Sequence, residues 1–584
     1  MLDRDRMLNI AGWTAFALAC SAFFLPVINP DIFWHFSAGR YTLAHLGPPR
    51  ADFLSWPLYG KEWVDFEWLP QVFYYLIYKA GGFTALLFLK ALLLALTLLV
   101  FRAAALLYGR REALIAALPF FSAAIITNSD LRPENFSLLF FAVTLYFLER
   151  TRLYGFPERR LALPTAAFFF ALWANLHAGY LYGLALAGLY AAGEFFEEEL
   201  PCIYGKAPFA RPTKSLRYLE LFFAGLVSSL ANPYGWKIYS VIANHQKYAA
   251  VLQEYIQEWN TFDLLNVYQW PYVAALLLVL GSLAFFLLRR KHIRYTHLAA
   301  LLFFAWASAG HARHIPFFVM TGLVFTLALP WEELRVSGLK RAAAAGLSLV
   351  LIFLFYGAYI WPQYTGKATG FRWGSQGLAS FLRANKTELS GLRLYNPWGW
   401  GGWLGWELGP EYKVFIDGRY LFHDKIEEVS ELREGTGKWQ ALEAKYSFGL
   451  ALITLDEPKV PVRQKLAGGG ETMYWRPAYL FALPRRDWAV VYWDNSVAAL
   501  ARRTAVPAAW LAEHEYRYLR PDDTLNLVEP VLAGDIPLSA LRTEMQRYLK
   551  NHQAGNEDSL SSGVIRFVRE MEKLCARKGS KCAK

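Results

Sequence analysis

Residues 8–40 read LNIAGWTAFALACSAFFLPVINPDIFWHFSAGR. Leu8 to Ile28 is an apolar run of about 21 residues, the length a membrane helix needs. It follows a short charged N-terminus like a signal sequence, but no small-x-small cleavage pattern ends it, so it reads as a retained first span. Directly beyond it stands Asp31-Ile32-Phe33-Trp34-His35. A membrane helix thus delivers a carboxylate and an imidazole to the bilayer surface. Asp31 is either the cap of a following helix or a general base for an acceptor hydroxyl or amine. His35, four residues on, shares its face if the segment is helical. The pair can then bind a divalent metal ion or move a proton.

Outward from this stretch the same pattern repeats. Further apolar runs lie at 82–101, 113–127, 135–149, 161–174, 178–193, 218–231, 270–288, 296–309, 315–330 and 342–361. With the first they make about eleven spans, several shorter than the ~20 residues of a straight crossing. Over the 584 residues 55% are hydrophobic and 18% charged, against roughly 25% charged in an ordinary soluble chain. The apolar excess ends near residue 362. This excludes a wholly soluble enzyme, a disordered chain and a disulfide-knotted module. The expected architecture is a polytopic α-helical membrane domain over 1–362 and a water-exposed α/β domain over 363–584, turning helical from about 505.

Basic residues set the expected orientation. Connections on the side of the N-terminus hold about 20 Lys and Arg, those on the other side about 8. The N-terminus is therefore expected in the cytoplasm, and the C-terminal domain outside. The net charge of +12 is assigned to this bias and to anionic membrane lipid rather than to nucleic acid. Cys575 and Cys582 lie close together in a basic tail; they either pair or remain two thiols.

The polar residues gather on the outer side, as an outward-facing site requires. The long first outer loop, 29–81, carries Asp31, His35, Asp52 and Glu67. Later outer turns carry Asp130, Arg132 and Glu134, then Asn175 and His177, then Asn232 and Glu258, and finally His311, Arg313 and His314. Arg132 either grips a phosphate in a bidentate manner or pairs with a neighbouring acid. The His311–His314 turn either attracts a lipid phosphate or lies at the headgroups. Walker, GxSxG, HExxH and paired CxxC motifs are absent, so ATP-driven transport and zinc-protease chemistry have no support. Within 363–584, strands are expected at Leu392–Tyr395, Val414–Ile416, Leu450–Leu455, Ala489–Trp493 and Ser496–Leu500. A hairpin turn is expected at Asp494-Asn495, and a helix capped by Ser375.

The motif order is Asp-x-x-Trp-His-x-x-x-Gly-Arg at 31–40, Asp52-x-x-Ser55, Glu67-Trp68-Leu69, Arg132-Pro133, Trp173 to His177, Asn232-Pro233-Tyr234-Gly235-Trp236 and Arg313-His314. Asn396 to Gly402 and Asp417-Gly418-Arg419 follow in the tail. Over about residues 8–500 this resembles a bacterial group of multi-span proteins similar to the GT-C-type membrane glycosyltransferases. The resemblance implies a polyprenyl-phosphate-linked sugar donor, hexosyl or pentosyl transfer, an acceptor that is a glycan, lipid or protein of the cell envelope, and a place in the bacterial inner membrane with a periplasmic C-terminal domain. Asp31 matches the acidic residue of the first outer loop, with His35 and Glu67 beside it as further catalytic residues. Asp52, Asp130, Arg132, Glu134, Asn175, His177, Asn232, Glu258, His311, Arg313 and His314 are the candidate substrate-binding set. Many such enzymes carry adjacent acids in this loop, whereas this chain has Asp31-Ile32. No cofactor other than a possible divalent ion at Asp31 and His35 is implied. A non-enzymatic scaffold or a transporter for an envelope polymer would use the same polar cluster for binding.

Overall fold

The computed structural model describes residues 4–198, 213–331, 338–367, 374–430, 436–455, 459–465, 470–551 and 559–578. The chain divides into two compact units. The first comprises Met1–Arg50 and Val64–Phe371; the second comprises Ala51–Trp63 and Arg372–Lys584. The stretch 29–81 is therefore not one piece, because its middle, 51–63, belongs to the second unit.

The described part of the first unit is built of helices and their connections. Its long helices are α1 (Arg4–Ser21), α2 (Ile32–His45), α3 (Trp68–Leu106), α4 (Arg111–Ala124), α5 (Glu134–Tyr154), α6 (Arg159–Leu176) and α7 (Tyr180–Glu198). After α8 (Thr213–Ser228) come two short helices, α9 (Ile238–Lys247) and α10 (Ala249–Tyr255). Then follow α11 (Trp270–Leu288), α12 (Tyr295–Gly310), α13 (Ile315–Ala328) and α14 (Gly338–Phe355). Each apolar run of the sequence overlaps one of these helices. Among the described residues four helical stretches are long and apolar enough to cross a membrane: Asp5–Phe24, Trp68–Leu106, Val267–Leu288 and Ala345–Tyr364. Helix α3 is two helices joined at a kink, where Gly81 and Gly82 leave helical geometry and Gly82 has a φ of 60°. Only glycine adopts that second conformation cheaply, so the kink is written into the sequence.

At the end of α5, Glu149 is fully buried and receives hydrogen bonds from Arg152 (2.8 Å), Tyr190 (2.5 Å) and Tyr108, with His297 Nε2 at 3.1 Å. This closed network ties α5, α7, α12 and the turn after α3 together, since an unpaired carboxylate there would be costly.

The second unit holds a four-stranded sheet. Its strands β1 (Leu394–Tyr395), β2 (Leu450–Thr454), β5 (Trp488–Trp493) and β6 (Val497–Arg502) run in the order β1-β2-β6-β5, with β1 and β2 parallel and the other pairs antiparallel. Strands β3 (Lys459–Lys465) and β4 (Glu471–Pro477) form a separate hairpin. Asp494 closes the β5–β6 turn, its backbone N–H donating to Val497 O at 3.0 Å. Ser375 caps helix α15 (Gln376–Ala384), its hydroxyl accepting from Leu378 N at 2.9 Å. Val414–Ile416 is not a strand: Val414 makes a single parallel bridge, to Ser55, instead of joining the sheet. Cys575 is buried in the last helix, and Cys582 lies outside the described residues.

Segment 51–63 is stitched into this unit by Asp52. Its carboxylate accepts from Leu54 N at 3.1 Å and Ser55 N at 3.2 Å, and pairs with Arg419 Nη1 at 2.7 Å. Arg419 also grips Asp417 at 2.7 Å and lies 4.6 Å from the Trp63 ring centre. Burial alone would lower the pKa of this guanidinium, but Asp417 and Asp52 more than offset it and hold it above the ordinary arginine value. Removing one partner leaves a buried charge uncompensated. Arg419→Ala is therefore expected to cost about 3–5 kcal/mol, read as a lowered midpoint of thermal unfolding of the full chain in detergent. An unchanged midpoint would show that the triad does not hold the segment.

Candidate functional site

Helix α2 begins at Ile32, with Asp31 in the cap position but making no side-chain cap bond. The carboxylate is thus not consumed as a helix cap. Gly39 sets α2 against the start of α3: a Cβ there would lie 2.2 Å from the Gln71 carbonyl oxygen. Any side chain at Gly39 would push the two segments apart. This close approach carries Asp31 and His35 to the residues that precede α3, Asp65 and Glu67.

Alternate connections of the first unit supply the rest. Glu67 lies within electrostatic reach of Asp65, Asp31, Arg313 and Glu134. His177, between α6 and α7, places Nε2 at 3.6 Å from Glu67 Oε1. His35 feels Arg132 and His177, and Glu134 feels Arg313 and Arg132. Arg132 forms an ion pair with Glu258. Arg313 lies 4.8 Å from the centre of the Trp259 ring, and among the described residues no carboxylate pairs with it directly. Asp31, His35, Glu67, Arg132, Glu134, His177, Glu258 and Arg313 therefore form one electrostatic cluster.

Burial sorts the charges. Desolvation, with Asp65, Asp31 and Glu134 adding repulsion, pushes Glu67 up to about 8 against the pull of Arg313. Burial, then Arg132 and His177, brings His35 down to about 3. Burial, then Arg313 and His245, does the same to His177, also to about 3. At neutral pH the site holds a protonated Glu67 and two neutral imidazoles. His35 lies against Trp34 and Tyr74, and its Nδ1 has no hydrogen-bond partner among the described residues. Among the described residues no group of three or more His, Cys, Asp or Glu side chains is arranged to hold a metal ion.

Other candidates bond within the fold. Asp130 accepts from Ile28 N at 3.1 Å and Leu131 N at 2.7 Å, fastening the exit of α1. Asn175 accepts from Trp68 Nε1 at 2.9 Å and donates to the carbonyls of Ala171 and Ala231, both at 2.8 Å. Asn232 closes its own turn, donating to Ser229 O and Gly235 O and accepting from Tyr234 N. The Nδ1 atoms of His311 and His314 lie 2.7 and 3.0 Å from the carbonyls of Trp259 and Ala307. Asp52 belongs to the second unit, paired with Arg419 as described. Sequence reasoning missed His245 and Trp259, whose rings stack at 5.7 Å beside Arg313 and His311. Their aromatic spacing in a loop rich in Tyr and Gln was the available signal.

No family model and no curated protein matches the chain. Solved structures do. The archaeal oligosaccharyltransferase AglB from Archaeoglobus fulgidus, in complex with an inhibitory peptide and a dolichol-phosphate, aligns with a TM-score of 0.58 and 10% identity. The alignment covers 98% of this chain and 86% of that one. The A. fulgidus enzyme tethered to an acceptor peptide gives 0.54 and 11%, over 99% and 87%. The fold is that of the GT-C membrane glycosyltransferases. ArnT from Cupriavidus metallidurans bound to undecaprenyl phosphate aligns more loosely, at 0.43 and 12%, over 85% and 98%. The helical unit carries the four stretches that are long and apolar enough to cross a membrane.

Proposed function

We propose that this protein is an inverting membrane glycosyltransferase. It moves a sugar, a hexose or a pentose, from a polyprenyl-phosphate-linked donor to an acceptor at the periplasmic face of the bacterial inner membrane. The observation that carries the reading is the single cluster of Asp31, Glu67, Arg132 and Arg313, built from four separate connections of the membrane unit. A structure that shares its fold supports the donor class, since it carries a dolichol-phosphate. The eleven apolar helices are read as eleven spans, with the N-terminus cytoplasmic and 363–584 periplasmic.

The donor enters from the outer leaflet with its phosphate toward Arg313 and Arg132. Asp31 takes the proton from the acceptor hydroxyl as that oxygen bonds to the anomeric carbon. The bond from that carbon to the phosphate oxygen breaks, and its electron pair stays on the lipid phosphate. Arg313 and Arg132 stabilise the charge that develops there. Protonated Glu67 donates a hydrogen bond to the reacting groups, and His35 packs beneath.

A photoactivatable polyprenyl-phosphate sugar tests this on the full chain in nanodiscs. Labelled peptides are expected from 29–50, 64–67, 128–134 and 311–314, with release of polyprenyl phosphate when an envelope acceptor extract is added. Labelling spread evenly over the lipid-facing helices, with no release, would refute the assignment.

A further inference from the structure

The Glu67–His177 contact is backed by a chain of hydrogen bonds that runs into the core. Trp173 Nε1 donates to Ser137 Oγ at 2.8 Å, and Ser137 Oγ lies 2.8 Å from His177 Nδ1. The backbone N–H of Gly179 also reaches His177 Nδ1, at 3.0 Å. An amide N–H can only donate, so Nδ1 must accept. Ser137, whose oxygen already accepts from the indole, has one hydrogen to give, and it goes to Nδ1. Nδ1 therefore carries no proton. A neutral imidazole then keeps its single proton on Nε2, the atom that faces Glu67 Oε1.

The surroundings enforce this state. Ser137 and Trp173 are fully buried, and His177 is 6% exposed. A Cβ on Gly179 would fall 2.3 Å from Ser137 Oγ and 3.0 Å from His177 Nδ1, so only glycine leaves the serine in place. The charged and titratable groups that face His177 are Glu67, Arg313, His245 and His35. Arg313 opposes a second proton on the ring, as does burial.

We infer that His177 is a positioning residue: Trp173, Ser137 and Gly179 lock it as the Nε2–H tautomer, which obliges Glu67 to carry its own proton on Oε2. With N–H already aimed at Oε1, a proton on that oxygen would meet another proton. The 3.6 Å approach is just beyond a hydrogen bond, a length that catalytic contacts often show before substrate binds. The inference rests on the proposed transferase reading, in which protonated Glu67 serves the reaction, and it names what fixes that proton's direction.

Two measurements on the full chain in nanodiscs test it. Histidine nitrogen NMR is expected to show His177 as a neutral Nε2–H tautomer in the parent and a mixture of tautomers in Ser137→Ala. An imidazolium or Nδ1–H form in the parent would overturn the inference regardless of activity. Kinetically, Ser137→Ala is expected to lower kcat about tenfold, with KM for a polyprenyl-phosphate sugar within about twofold, since it disturbs a group acting in the transition state. The same change in a Glu67→Ala background is expected to have no further effect. Equal losses in both backgrounds, with the parent still inactivated by Asp31→Asn, would refute the positioning role while leaving the transferase reading intact. If Asp31→Asn is also fully active, it is the transferase reading that fails.

Discussion

Asp31→Asn is expected to cut transfer by about 100- to 10,000-fold, the range lost with a general base, while the protein inserts and unfolds as the parent does. The assignment of base to Asp31 follows from its neighbour. Two carboxyls that share a site do not readily ionise together. Glu67 is the one that keeps its proton, because burial and the charges of Asp65, Asp31 and Glu134 lift it to about 8. The sign of the pH dependence follows. Below about pH 8 Glu67 is a donor, and above it the donor is lost, so the rate is expected to fall on the alkaline side with a limb near 8. Glu67→Gln keeps a neutral donor that cannot ionise. It is expected to retain activity within about tenfold, a small loss beside that of a general base, and to flatten the limb. A rate that instead climbs through pH 8, together with an inactive Glu67→Gln, would make Glu67 the base and Asp31 its partner. Steady-state rates between pH 6 and 10, with unfolding midpoints beside them, separate the two.

Much of this was written in local sequence. Apolar runs of near-membrane length demand helices, and each of the eleven overlaps one in the structure. The Ser375 cap acts over a few residues and was readable for the same reason. What failed to show was long-range. Asp52 looked like a site carboxylate because its partner, Arg419, lies 367 residues away, and nothing near Asp52 announces a buried triad. Val414–Ile416 has strand composition, yet it takes no place in the four-stranded sheet and Val414 bridges Ser55 instead. The β3–β4 hairpin was missed because Lys459 to Lys465 carries proline and three cationic residues instead of apolar alternation. Asn232 is different. Asn-Pro-x-Gly is itself a turn pattern and its amide is spent closing that turn, a local signal that the reading of Asn232 as a substrate-binding residue did not use. His177 was legible as a polar residue at a helix end. The Ser137 and Gly179 that fix its tautomer come into view only when α5 is brought beside the α6–α7 turn.

Arg313→Ala is expected to do more damage to donor use than Arg132→Ala. A cation that must meet a phosphate is most effective when no carboxylate already holds it. Arg132 is engaged by Glu258, so a phosphate has to share or displace that pair, whereas Arg313 rests on the face of Trp259. The indole holds the guanidinium in place through its ring face and leaves the N–H groups to an anion. In a site shielded from water, losing one donor to a developing charge costs about 100- to 1,000-fold. That loss is expected in kcat/KM for Arg313→Ala with a polyprenyl-phosphate sugar. Arg313→Lys is expected to recover only part of it, because an ammonium offers no planar fork to the phosphate. Arg132→Ala should fall less far, and Glu258→Gln should tighten donor binding by releasing Arg132 for the phosphate. Titration of a non-hydrolysable polyprenyl-phosphate analogue onto each variant measures binding apart from turnover. Equal affinity in the parent, Arg313→Ala and Arg132→Ala would mean that the lipid phosphate is held elsewhere. The cluster around Asp31 would then have no leaving group to serve, and the transferase reading would lose its physical basis.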